Sequence, residues 1–369
     1  MKKVIFLAIA AAAALTACSK SEVVDTKFNE QISFETYLGR DAQTKAPIIN
    51  NDNLGNVAVY AYYTGKSGWT DQSKTNLWNG VLLIDKTGAF VSTDATAKYW
   101  ANPSDKYSFF AYAPVNDKVG TVNDVNPTIN FAVQPNIPDQ VDLLCATPYF
   151  DKMASEFTAG TVSLNLKHAL SRITVKAKAT GDNFKFDVKK ITLSGNFNVT
   201  GTLPLSTGNW ATATPATDGS VFTFFNNNSA AYVPPTTDTA TDTATDTALP
   251  TDSYRNYAER TVEGNTVTDN YLMIIPTVPA EGATAANATL TVNYSTYYAG
   301  QESVEMSKNI EVPINFAMGK AYSINLDFSH EATEIKFSVT VDNWDETDDN
   351  KEKDSDVKPG ESTPVTPAA

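Results

Sequence analysis

His168, Ser171 and Arg172 fall within one short stretch, LNLKHALSRITVKA (residues 164–177), and bring a base, a hydroxyl and a cation close together in the chain. Acyl transfer by a serine needs that hydroxyl within reach of an imidazole that a carboxylate orients. The stretch, however, alternates as a β-strand does. A period of two puts His168 on one face with Leu164, Leu166, Leu170 and Arg172, and Ser171 on the other with Asn165, Lys167 and Ala169. The two side chains therefore point apart, and no GxSxG elbow accompanies them. A structural histidine is the expectation. His330, the other histidine, lies in the polar turn FSHEATE and reads as solvated.

Other chemistry fares no better. The 42 acidic residues offer many carboxylate pairs, but the densest run lies in the tail, where residues 342–356 hold eight of them. Its DETDD segment lacks the turn glycine of a calcium loop. The two cysteines, Cys18 and Cys145, form no CxxC, and no metal-spaced cluster exists, so neither metal nor cofactor is expected. Trp69, Trp78 and Trp100, beside Tyr60, Tyr62 and Tyr63, are candidates for stacking on sugar faces. They sit on or next to alternating segments, so core packing is the default reading and sugar stacking the alternative.

The formal charge of −14 leaves no basic surface for nucleic acid. At the start, MKK, the apolar VIFLAIAAAAAL and LTAC ending on Cys18 form a signal peptide of the bacterial lipoprotein kind, with Cys18 the lipidated residue. The apolar run is too short to span a bilayer. Cys145 is then left alone in VDLLCATPYF and reads as a small buried hydrophobe.

The elements around these residues are short, aromatic or β-branched, and bounded by Gly, Pro, Asn or Asp. QISFETYL, VAVYAYY, AKYWANPSDKYSFFAYAP, TINFAVQP and TVSLNLKHALSRITVKAKA read as strands of a first half. VKKITLSGNFNVTGTLPL, VFTFF, YLMIIPTVP, ATLTVNYSTYY, NIEVPINF, AYSINLDF and EIKFSVTVDNW read as strands of a second. No amphipathic helix is evident, so the fold class is all-β, as two β-sandwiches dividing near residue 180. The expected organisation is a signal peptide at 1–17, a tether at 18–30, one sandwich at 31–180, a second at 181–346 and a disordered acidic tail at 347–369. A low-complexity insertion at 236–252 carries the tetrapeptide TDTA three times.

The lipobox, an early strand followed by Arg40 or Lys45, YSFFAYAP, DLLCA, LKHALSRITVKA, MGKAYSINLDF and FSVTVDNW occur in this order. Together they resemble the fimbrillin family, the type V pilins and related lipoproteins of Bacteroides-type bacteria, and within it the Mfa-like branch. The resemblance runs from about residue 1 to 346 and implies two tandem transthyretin-like sandwiches and no enzymatic activity. It implies travel to the outer membrane as a lipoprotein, then cleavage after Arg40 or Lys45 that removes the strand at 31–38. A partner subunit's strand would fill the vacated groove by strand addition. Alternatively, GRDAQTKAP is a plain polar turn. The stalk subunits of the family continue as strand beyond the Trp, whereas here DETDDNKEKDSDVKPGESTPVTPAA follows, too charged and Pro-rich for an apolar groove. A tip or accessory role with an adhesive ligand on a host or bacterial surface is the expectation. A surface glycan-binding lipoprotein that does not polymerise is the alternative. Thr239, Thr243 and Thr247 in the repeat also match the Asp-Thr-small pattern of O-glycosylation in these bacteria.

Overall fold

The computed structural model describes residues 30–38, 54–69, 74–86, 89–94, 96–120, 122–123, 126–157, 160–180, 184–226, 249, 253–262, 265–268, 271–298, 304–329 and 335–344. Strands dominate these residues, with single 3-10 turns at Ile137–Asp139 and Ala154–Glu156. The all-β expectation holds.

An eight-stranded sheet is built on Val57–Gly65 and Lys106–Ala113, which are buried along almost their whole length. Each is apolar on both faces because both faces are covered. Val57, Val59, Ala61, Phe109 and Ala111 serve one core, while Ala58, Tyr60, Tyr62, Phe110 and Tyr112 serve another. From edge to edge the order is Ser33–Leu38, Thr161–His168, Leu144–Ala146, Lys106–Ala113, Val57–Gly65, Thr75–Lys86 and Ala89–Ser92, with Tyr149–Lys152 added beside Lys106–Ala113. The two edge strands touch, so the sheet curls around its inner core.

The outer face of that sheet shares its core with a four-stranded sheet ordered Thr212–Pro215, Asn198–Pro204, Thr128–Ala132 and Val122–Asn123. A second pair of sheets encloses a third core. One is ordered Arg255–Asn256, Ser171–Thr180, Lys320–Ser329 and Lys336–Asn343, with Leu272–Ile274 also on Ser171–Thr180. The other is ordered Ser220–Asn226, Phe184–Gly195, Asn287–Tyr298 and Val304–Pro313.

Among the described residues four strand pairings cross the division read near residue 180, including those of Ser171–Thr180 with Arg255–Asn256 and with Leu272–Ile274. Ser171–Thr180 lies parallel to Lys320–Ser329, and Asn198–Pro204 lies antiparallel to Thr128–Ala132. The chain steps from one sheet to another at Ala169 and Leu170, between two strands that both alternate. A period of two runs on through such a step without registering it.

Candidate functional site: the first strand and its seat

Among the described residues Ser33–Leu38 is an edge strand that pairs, in parallel, with Thr161–His168 alone, in the register Phe34 to Val162, Thr36 to Leu164 and Leu38 to Leu166. Alternation decides its faces. Ile32 and Phe34 are buried, while Ser33 and Glu35 face outward. The Phe34 ring lies 5.0 Å from Trp78 and 6.0 Å from Phe109, measured between centroids. On the outer face the Ser33 and Thr161 hydroxyls meet at 2.7 Å, and the Ser163 hydroxyl donates to the Glu35 carboxylate.

Just ahead of the strand, the chain is stitched to a loop. The Ile32 N–H donates to the Lys98 carbonyl at 2.9 Å and the Trp100 N–H to the Glu30 carbonyl at 3.1 Å. The Trp100 indole N–H donates to the Gly160 carbonyl at 3.2 Å. Gly160 has φ +67, and a Cβ there would stand 2.8 Å from Glu30 Cγ and 2.9 Å from Trp100 Nε1. Only glycine permits that approach. Tyr107 and Phe157 pack on Trp100 at 4.7 and 5.4 Å and complete an aromatic wall.

This seat has a definite capacity. Lifting the first strand would expose an apolar floor of Trp78, Phe109, Val162, Leu164 and Leu166. It would also leave one edge of Thr161–His168 with unpaired backbone groups. A replacement strand satisfies both needs at once.

Burial separates core packing from sugar stacking at two of the three tryptophans. Trp78 and Trp100 are 4% and 1% exposed, inside the core of the curled sheet. Trp69 is half-buried against Tyr62 and Phe110, and the Lys74 ammonium lies 3.9 Å from its ring centroid. Its backbone N–H donates to Asp151 at 2.7 Å. No open stacking platform is formed by these three residues. Cys18, Arg40, Lys45, Thr239, Thr243 and Thr247 lie outside the described residues, as does His330.

His168 and Ser171 are held apart in separate sheets. The Ser171 hydroxyl donates to the Ala317 carbonyl at 2.8 Å. His168 is buried with its Nδ1 2.9 Å from Asp142 Oδ1, and its ring is stacked on Trp344 at 4.1 Å with 2° between planes. The Arg172 guanidinium lies over Tyr271 at 4.5 Å and near the Trp344 ring at 5.5 Å. Asp142 and Trp344 as partners of His168 carry no signal in the sequence. Cys145 is buried at 3% exposure, and burial pushes its thiol up to about 12, so it is a packed hydrophobe rather than a nucleophile. Among the described residues no group of three His, Cys, Asp or Glu side chains is placed to hold a metal ion.

Comparison with known proteins agrees with this architecture. The family model described as fimbrillin-like matches residues 44–344. The fimbrium subunit Fim1C of Phocaeicola vulgatus is 27% identical over 194 residues, which are 47% of this chain and 50% of that relative. The chain thus spans about half the length of that curated relative. A crystal structure of a fimbrial protein from Bacteroides vulgatus superposes with a TM-score of 0.57 at 19% identity, over 86% of this chain and 100% of the other, which is a likeness of fold.

Proposed function

The chain belongs to the fimbrillin-like family, a family of fimbrial structural subunits and not of enzymes, and from that premise we propose that it is a fimbrial subunit or surface lipoprotein of the tip or accessory kind. Its precursor carries a lipid on Cys18 in the outer membrane, and the matured protein assembles with other subunits by accepting a strand. The observation that carries this reading is the first strand. It pairs with one neighbour only, yet it plants Ile32 and Phe34 in a core rich in aromatic rings. A segment so placed can be exchanged for another of like pattern while the sheet beneath keeps its other pairings.

In this reading, cleavage after Arg40 or Lys45 frees the strand at 31–38, and a partner's strand takes its seat. The tandem sandwiches are transthyretin-like units, and the acidic segment from Asp345 onward stays out of any groove. Thr239, Thr243 and Thr247 carry glycans that solubilise the repeat. An adhesive ligand on another cell surface completes the role.

The test is the N-terminus of the protein purified from intact cell surfaces, by intact mass and terminal sequencing. A start at Asp41 or Ala46 is the expected result. An acylated Cys18 with 19–45 retained would mean a closed, membrane-tethered protein and would overturn strand acceptance.

A further inference from the structure

The last strand, Lys336–Asn343, lies at the edge of its sheet and packs on its own core with half-buried side chains. Among the described residues it pairs only with Lys320–Ser329. Phe337 and Val339 are half-buried, and Val341 is 52% exposed. The residue that follows is placed quite differently. Trp344 is 2% exposed and belongs to the other core, the one shared by Tyr60, Phe110 and Leu203. There it stacks on His168, lies near the Arg172 guanidinium and donates its backbone N–H to the Gly319 carbonyl at 2.9 Å. Besides its pairing along Lys320–Ser329, the strand is thus held at its end by a ring inserted where the chain crosses between sheets.

The sequence of this strand gives that anchor a purpose. Ile335, Phe337, Val339 and Val341 repeat, at the same spacing, the pattern of Ile32, Phe34, Thr36 and Leu38 in the first strand. Each begins Ile-polar-Phe-polar and goes on through a β-branched residue to an aliphatic one. A weakly seated edge strand with the right side chains for a groove elsewhere on the molecule is poised to swap into a second copy. We infer that the Trp344 stack is a latch that retains the last strand in its own sheet, so that a copy can receive a strand at the first-strand seat without lending this one. The inference rests on the reading that the first strand leaves its seat.

Hydrogen exchange on surface-purified protein tests the latch, with Trp344→Ala and Trp344→Phe compared with the parent. Loss of protection by about tenfold or more at 336–343 in Trp344→Ala, with Val57–Gly65 unchanged and Trp344→Phe close to the parent, is expected. Light scattering on the same samples should show oligomers in Trp344→Ala that a second change, Phe337→Asp, abolishes. Unchanged protection at 336–343 overturns the latch, and so does loss spread evenly over every sheet. Oligomers insensitive to Phe337→Asp also count against it. If Trp344→Ala does not fold, Arg172→Met removes the cation while keeping the stem, and the same strand-selective loosening, smaller in size, decides the matter. The N-terminal sequence of each sample separates the two ideas. Monomers from Trp344→Ala protein that has lost 31–38 defeat the latch. Protein that retains 31–38 defeats the maturation reading instead, and exchange at 336–343 then decides for or against the latch.

Discussion

At the scale of the residue, the polar groups that look chemical are held by partners that make them structural. His168 is the clearest case, since its ring nitrogen faces a buried Asp142 carboxylate and its face covers Trp344. Replacing His168 by Ala should lower stability by about 3 kcal/mol, because it removes one partner of a buried carboxylate and opens a cavity beside the indole. The midpoint of urea unfolding checks this, and a change within error would mean the pair contributes little. Tyr63 makes a second residue-level prediction. Its hydroxyl donates to Asp105 at 2.6 Å, and that bond, aided by burial, raises its pKa from 10.0 to about 12. A phenol with a raised folded pKa favours the folded state fully below pH 10 and loses that contribution as pH climbs from 10 to 12. Ultraviolet titration of the parent and Asp105→Asn should show one tyrosine returning toward its ordinary value in the variant. Cys145, by the same reasoning, should resist iodoacetamide in the folded protein and react on unfolding, read by mass spectrometry on its own peptide.

At the scale of the element, the first strand combines deep side chains with sparse backbone pairing. Phe34→Ala removes a ring that packs on Trp78 and Phe109, and should weaken the seating of the strand by about 3 kcal/mol. On the proposed reading that the strand leaves its seat by itself, the loss should show as faster hydrogen exchange at Ser33–Leu38 and Thr161–His168 more than as a lower global melting point. Gly160→Ala should loosen the same strand at its start, since the methyl group would collide with Glu30 and Trp100. The strand itself was legible in QISFETYL, whose alternation names Ile32 and Phe34 as inward residues. Its stitching to the loop at Lys98 and Trp100 was not, because a single pair of backbone bonds leaves no pattern in side-chain types.

At the scale of the whole molecule, the two halves share material. Asn198–Pro204, from beyond residue 180, completes a sheet with Thr128–Ala132. The Trp210 indole donates to Ala169 at 2.7 Å, and Met273 N–H donates to Gln140 at 2.7 Å. Such cross-ties bind the halves into one cooperative unit, so calorimetry should show a single main transition. Two well-separated transitions would mean that the halves fold independently.

The sequence by itself determined that this is an all-β chain, where most strands lie, and that His168 and Ser171 could not act together. Those conclusions follow from period-two alternation and turn residues, which are local properties of the chain. Only the tertiary structure decided that Trp78 and Trp100 are core, and that His168, Asp142 and Trp344 meet. It alone decided that LNLKHALSRITVKA breaks between two sheets at Ala169 and Leu170. Trp78 lies on a strand with exposed neighbours and Trp100 outside the strands, so what packs over each ring, and not local alternation, decides its burial. Residues far apart in the chain are brought together by sheet order and register, which are set by long-range pairing and not by local propensity.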